Sequence, residues 1–125
     1  MSEVKAEARV YAVAGNSADT TKYWYRIFKD IKDFGLNVYC INPFVNEVDG
    51  LQIYPDLGSL PQKGTDLILV ARPEVSAQLV DKAIELGYRD IYFQPGTYTE
   101  EAAAKAQRAG IEVHDYCFMV AHGIW

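Results

Sequence analysis

Short apolar runs alternate with longer amphipathic stretches along the chain. The runs contain few polar residues and show no regular alternation, which is typical of strands covered on both faces of a parallel sheet. They occupy residues 10–14, 36–41, 66–71, 90–93 and 111–114, and residues 51–54 are a candidate for a sixth, shorter strand. The pattern therefore predicts five or six strands.

The stretches between these runs repeat apolar residues at the spacing of a helix. In the first of them, Trp24, Ile27 and Ile31 share one face and charged residues occupy the others. A glycine stands at the end of each of three predicted helices, directly before a strand: Gly35, Gly87 and Gly110. This order predicts an α/β fold, a Rossmann-like doubly wound parallel sheet with helices on both faces. We expect one domain across residues 1–125, with a flexible start at 1–7.

Composition and charge narrow the class of partner. The formal net charge of -5 argues against general nucleic-acid binding, which needs a basic surface. No apolar run has the length of a membrane span, and the polar N-terminus has no signal-peptide pattern, so we expect a cytoplasmic protein without membrane contact. The two cysteines lie far apart in the sequence and are expected to be reduced thiols.

Ligands of doubly wound sheets bind beyond the carboxyl ends of the strands. Four segments of this chain lie at such ends: residues 15–22, 42–43, 71–73 and 94–96. Gly15 can take a positive φ and lets the backbone approach a ligand, and the following helix start is an anion site. A nucleotide phosphate is therefore the first ligand to consider. Lys22 in the first helical turn is either a contact to that anion or a solvated surface lysine.

Several familiar phosphate-binding sequences are missing. The first loop has one glycine and lacks the second and third glycines of the dinucleotide-binding pattern G-x-G-x-x-G. Asn42-Pro43 stands where that pattern would have an acidic residue to bind the ribose. NAD is therefore disfavoured. The pattern G-x-x-x-x-G-K-[ST] does not occur either, which excludes a P-loop.

The motifs at the strand ends, taken together, resemble the small single-domain CoA-binding proteins, which are similar to the CoA-binding domain of the succinyl-CoA synthetase α subunit. Residues 13–17 match the family's V-x-G-x-S turn, residues 41–43 its V-N-P strand end, residues 94–96 its Q-x-G and residues 114–119 its ending D-R-C-x-M, and Lys22 holds its basic position. The resemblance implies CoA or acyl-CoA as ligand. It implies these binding residues: Gly15, Asn16, Ser17, Ala18, Lys22, Asn42, Pro43, Arg72, Pro73, Gln94, Pro95 and Gly96.

The resemblance also implies roles. Loop amides at residues 15–18, with the Ser17 hydroxyl, would hold the pyrophosphate; Lys22 or Arg72 would add positive charge, and Gln94 with Gly96 would line the pantetheine or adenine side. The chain departs from the family at residues 23–25, Tyr-Trp-Tyr, where small or hydroxyl residues are usual. It departs again at residue 116, where tyrosine replaces arginine.

Two other classes of function remain open from the sequence. One is an NAD(P)-dependent or other nucleotide-dependent enzyme, or a thioester-handling catalyst that uses Cys117, although no catalytic constellation accompanies it. The other is a protein-interaction module without a ligand. The spacing of His114, Cys117 and His122 fits no metal motif, so we expect no metal site. The apolar residues Ile124 and Trp125 suggest a homodimer contact, unless they pack back onto their own domain.

Overall fold

The computed structural model describes residues 9–18 and 23–125. The expected flexible start at 1–7 and the predicted site residue Lys22 lie outside the described residues. Twelve short elements follow one another in the described part. They are β1 (Tyr11–Ala14), α1 (Tyr23–Phe34), β2 (Val38–Ile41), β3 (Glu47–Val48), β4 (Leu51–Gln52), a 3-10 turn (Leu57–Ser59), β5 (Asp66–Leu69), α2 (Pro73–Leu86), β6 (Asp90–Phe93), α3 (Glu100–Arg108), β7 (Glu112–His114) and α4 (Phe118–Ala121).

Five strands form one parallel sheet in the order β2-β1-β5-β6-β7. Tyr11 of β1 lies between Val38 of β2 and Asp66 of β5 in the register. This is the flavodoxin-like strand order of doubly wound folds. The Rossmann-like α/β prediction is confirmed, with five strands in the main sheet. The candidate sixth strand contributes instead to a separate two-stranded hairpin of β3 and β4, and Tyr54 forms a single bridge to Ile41.

Alternate residues of each strand support helices on opposite faces. Ala12, Leu67 and Phe93 face the side covered by α2 and α3, where small alanines of α3 allow close packing. Val13 and Ile68 face the side covered by α1 and α4. Since both faces are covered, the strands need apolar residues at every position, which is why their sequence shows no alternation.

A polar network joins the amino ends of β5 and β6. Arg9 Nη1 donates to Asp66 Oδ1 at 3.0 Å and to Asp90 Oδ1 at 2.7 Å, and His114 Nε2 lies 2.9 Å from Asp90 Oδ2. Burial raises the pKa of the Asp90 carboxyl, but hydrogen bonds from His114 and Arg9 outweigh burial and hold that pKa below its usual value. The network lies at the end of the sheet opposite the predicted site, so it supports the fold.

Candidate functional site

A large cleft lies beyond the carboxyl ends of the strands. In this strand order the chain switches direction between β1 and β5, which is where doubly wound folds bind ligands. The cleft has a volume of about 580 Å³. Its lining comes from the loops after β1, β2, β5 and β6 and from the start of α1: Asn16, Ser17, Tyr23, Trp24, Phe44, Val70, Ala71, Arg72, Pro73, Pro95, Gly96 and Thr97.

Gly15 begins the loop after β1, and its role differs from the expected one. Positive φ occurs at six other glycines but not at Gly15. A Cβ on Gly15 would lie 2.6 Å from Cβ and Cγ of Trp24, far inside carbon contact distance. Its amide donates to Ile41 O at 2.9 Å. Glycine is therefore required here because α1 packs directly against the loop, and not because of a left-handed turn.

Asn42 holds this loop to the end of β2. Its side chain is only 1% exposed. Its Nδ2 donates to Ser17 O at 2.8 Å, and its Oδ1 accepts from the Phe44 amide at 2.9 Å. Both ends of the side-chain amide are thus used within the protein. Of the two roles that the sequence left for Asn42, this geometry shows the local bonding, which holds residues 15–18, and ligand contact stays a prediction.

Positive charge enters the cleft at the start of α2. Among the described lining residues, Arg72 is the charged one, and it is the residue that precedes the first helical residue, Pro73. Its Nε lies 3.7 Å from Glu74 Oε2, a long and exposed pair that leaves the guanidinium available to an anion. The α2 dipole adds positive potential at the same place.

The loop after β6 contributes backbone and small side chains. Gly96 has φ +93, a left-handed conformation that favours glycine, and Thr97 Oγ1 donates to Gln94 O at 2.8 Å. Pro95 and Gly96 line the cleft, as expected. Gln94 does not: it is fully buried, its Oε1 accepts from the Phe118 amide at 2.6 Å, and its Nε2 lies 3.5 Å from Cys117 Sγ. In this structure Gln94 holds the chain before α4, and its role toward a ligand stays a prediction.

Phe44 separates the large cleft from a neighbouring one of about 430 Å³. It is 66% exposed, and residues Ala18, Asn42, Pro43, Val45, Asn46, Ile53 and Pro55 complete the second lining. Pro43, a predicted site residue, belongs to this second cleft. Sequence reasoning missed Phe44; the available signal was an aromatic residue directly after the Asn-Pro end of a strand.

The three bulky residues at 23–25 have three different environments. Trp24 is 2% exposed and belongs to the core, although its edge reaches the cleft. The Tyr25 hydroxyl donates to Asp49 Oδ2 at 2.8 Å, toward the β3–β4 hairpin. Tyr23 stands at the cleft, where burial raises the pKa of its hydroxyl and the neighbouring Cys117 and Gln94 side chains modify that pKa. Of the three rings, Tyr23 therefore has the most direct effect on the shape of the cleft.

Cys117 directly precedes α4 and lies near Tyr23. Burial raises the pKa of its thiol, but hydrogen bonds from the Val120 amide, Gln94, the Met119 amide and Tyr23 outweigh burial, so the pKa lies below its ordinary value. Cys40 is the opposite case, because burial within β2 raises the pKa of its thiol strongly. The described residues contain no group of three or more His, Cys, Asp or Glu side chains arranged to hold a metal ion.

This constellation of strand-end loops matches a known family. The model of the CoA binding domain matches residues 9–123, nearly the whole chain. The chain belongs to the CoA-binding domain family. The resemblance seen in the strand-end motifs is confirmed.

The similar proteins include one chain of comparable length and two much longer ones. A hypothetical protein from Pyrococcus horikoshii OT3 is 30% identical, with a TM-score of 0.85 over 97% of this chain and 86% of that one. The ADP-forming acetate–CoA ligase I of Archaeoglobus fulgidus is 34% identical over 84 residues, 66% of this chain and 12% of the ligase. The dinucleotide-forming acetyl-coenzyme A synthetase 1 of Ca. Korarchaeum cryptofilum is 23% identical, with a TM-score of 0.73. The superposition covers 90% of this chain and 27% of that one.

The chain thus spans only about 12% of the curated ligase it matches. Within the described ranges, no helix has the length and apolar character needed to cross a membrane.

Proposed function

We propose that this chain is a binding module for CoA or an acyl-CoA, with the ligand's diphosphate at residues 15–18 and the start of α1. The observation that carries the proposal is the loop of residues 15–18, which Asn42 holds at Ser17 O and which lines the same cleft as Arg72. The Gly15 amide donates to Ile41 O. The amides of residues 16–18, the Ser17 hydroxyl and a guanidinium are the donors that a diphosphate needs. Family membership supports the same ligand class.

The two clefts suit a ligand with a charged centre and two arms. Asn16 and Ser17 belong to the larger cleft, and Ala18, next along the loop, belongs to the smaller one. In doubly wound folds the adenosine half lies against the first strand–helix–strand unit, near the end of its second strand. We therefore assign the adenosine to the smaller cleft beside Pro43 and Phe44. The pantetheine arm extends along the larger cleft, over the loops after β5 and β6, past Pro73, Pro95 and Gly96.

A thermal-shift panel of CoA, acetyl-CoA, NAD, FMN and ATP tests the ligand class. Ligand at a hundredfold excess over its Kd stabilises the folded state by about 2.7 kcal/mol. For a chain of this size each kcal/mol raises Tm by about 3–5 °C. We expect a clear shift with CoA or acetyl-CoA and smaller shifts with the other compounds. A shift restricted to NAD or FMN would contradict the proposal.

Replacement of Arg72 tests the position of the anion. Arg72→Ala should weaken CoA binding by about 1–3 kcal/mol, the range for a hydrogen bond to a charged group. Salt should weaken binding to the wild type more than binding to the variant, because one screened contact is gone. Arg89→Ala is the matched control, since Arg89 is exposed at the amino end of β6, far along the strand from the cleft. Equal losses in both variants would remove Arg72 from the site.

Lys22→Ala carries a prediction from the sequence alone, because Lys22 lies outside the described residues. If Lys22 contacts a CoA phosphate, the substitution should weaken CoA binding by about 1–3 kcal/mol while leaving folding stability nearly unchanged. Lys82→Ala, within α2, is its control. Calorimetric titration of both variants with CoA at low salt measures the difference in affinity. If Lys22→Ala binds CoA as tightly as wild type, Lys22 does not contact the phosphate, and the loop and Arg72 would hold the anion.

A further inference from the structure

The segment after α4 packs against α1. Gly123, with φ +72, reverses the chain after α4, and the amides of Ile124 and Trp125 both donate to Met119 O, at 2.8 and 3.2 Å. Ile124 packs against the core on the α1 side of the sheet. These contacts give the tail a defined path and do not leave Trp125 as a free apolar end.

Trp125 packs along one stripe of α1. Its indole Nε1 donates to Asp30 Oδ2 at 2.7 Å, and the Arg26 guanidinium carbon lies 4.2 Å from the centroid of its ring. Its ring centroid lies 5.7 Å from that of Tyr23. Residues 23, 26 and 30 recur at helical spacing, so one ring contacts three successive positions on the same face of α1. These contacts place the tail on its own domain, and the homodimer stays a prediction.

Tyr23 is thereby held from two directions. The Trp125 ring lies against the Tyr23 ring. The Tyr23 hydroxyl lies beside Cys117, which directly precedes α4, and beside Gln94 in the loop after β6. Tyr23 is also a wall of the larger cleft. The wall therefore depends on contacts supplied by the segment from residue 117 to residue 125.

We infer that Trp125 is a positioning residue for the ligand cleft: it fixes the Tyr23 wall, so docking of Trp125 on α1 and ligand binding favour each other. This inference rests on the proposed function for the ligand, but the bracing of Tyr23 exists without it. Coupling of two such events is reciprocal, so a ligand that uses the wall must also alter the environment of Trp125.

Affinity measurements test one direction of this coupling. Trp125→Ala should bind CoA about threefold to tenfold more weakly than wild type, the scale of one aromatic pair. Trp125→Phe keeps a ring against Tyr23 and should bind within about twofold of wild type. Tyr39→Ala is the matched control, because it removes a ring pair of similar separation, 5.8 Å to Tyr54, on another part of the sheet. Affinity of Trp125→Ala equal to that of Tyr39→Ala would overturn the inference.

Fluorine NMR tests the other direction. The chain has two tryptophans, so 5-fluorotryptophan labelling gives two resonances, which Trp125→Phe assigns. Saturating CoA should shift the Trp125 resonance as well as that of Trp24. A Trp125 resonance that stays in place while CoA binds would refute the coupling.

A ligand-free measurement separates this inference from the proposed function. Ring resonances of Tyr23, assigned with Tyr23→Phe in tyrosine-labelled protein, should shift in Trp125→Ala and stay in place in Tyr39→Ala. Unchanged Tyr23 resonances in Trp125→Ala would overturn the bracing role whether or not CoA binds. If wild type instead binds neither CoA nor acetyl-CoA, the proposed function fails and the Tyr23 resonances still decide the bracing role.

Discussion

Gly15→Ala tests the close contact between the first loop and α1. The added Cβ would lie 2.6 Å from both Cβ and Cγ of Trp24, whereas carbon atoms in contact prefer about 3.5–4.0 Å. A change of Trp24 rotamer cannot relieve the contact with Cβ, since that atom is fixed by the backbone of α1. The helix or the loop must therefore move by about 1 Å, the difference between these distances.

Overpacking of this kind costs about 1–3 kcal/mol. We expect Gly15→Ala to lower the free energy of unfolding by that amount in urea, and to lower Tm by about 3–5 °C for each kcal/mol. CoA affinity should fall as well, because the displaced residues 15–18 carry the proposed diphosphate donors.

Gly58→Ala is the control for this prediction. An added Cβ there would meet only Asp56 Oδ1, at an ordinary 3.5 Å, and Gly58 is not among the glycines with positive φ. This substitution should be neutral, or should stabilise the fold by about 0.4–1 kcal/mol through the unfolded chain. If Gly15→Ala is as stable as Gly58→Ala, the role assigned to Gly15 is wrong.

Two further predictions concern titratable groups. Since the folded-state pKa of Asp90 lies below its usual value, its stabilising contribution is present above about pH 4 and is lost as the pH falls through the folded-state pKa. Asp90→Asn should therefore be less stable than wild type at pH 7. Between pH 5 and 3 it should lose less stability than wild type, as measured by urea unfolding at each pH. Equal losses in the two proteins would contradict this. Cys117, whose pKa is lowered, should be alkylated by iodoacetamide at neutral pH much faster than buried Cys40, as read by mass spectrometry of the digested protein; equal rates would refute the assignment.

The sheet and its helices were predictable because their signals are local. Strands covered on both faces lack alternation, and each of the three glycines at the predicted helix ends precedes a strand. Gly87 illustrates this: it is left-handed, and its amide donates to Ala83 O and Ile84 O. The separate β3–β4 hairpin was less predictable, because the sequence of a short apolar run does not determine which strand it will pair with.

The site was predictable as a set of loops but not in the roles of individual side chains. Strand topology alone brings the ends of β1, β5 and β6 together, so the cleft follows from the fold. Whether Asn42 and Gln94 face a ligand or bind the protein depends on distant partners, Ser17 in one case and Phe118 in the other. The same is true of Gly15, whose constraint comes from Trp24.

The most direct test of the central claim is an amide NMR titration of the labelled chain with CoA. Saturable shifts are expected at the amides of residues 15–18, 42, 44, 71–72 and 96–97, in the loops that line the two clefts. The groove of about 320 Å³ at Gln107 and residues 110–113 lies elsewhere and should be unaffected. Shifts confined to that groove, or no shifts at millimolar CoA, would contradict the account.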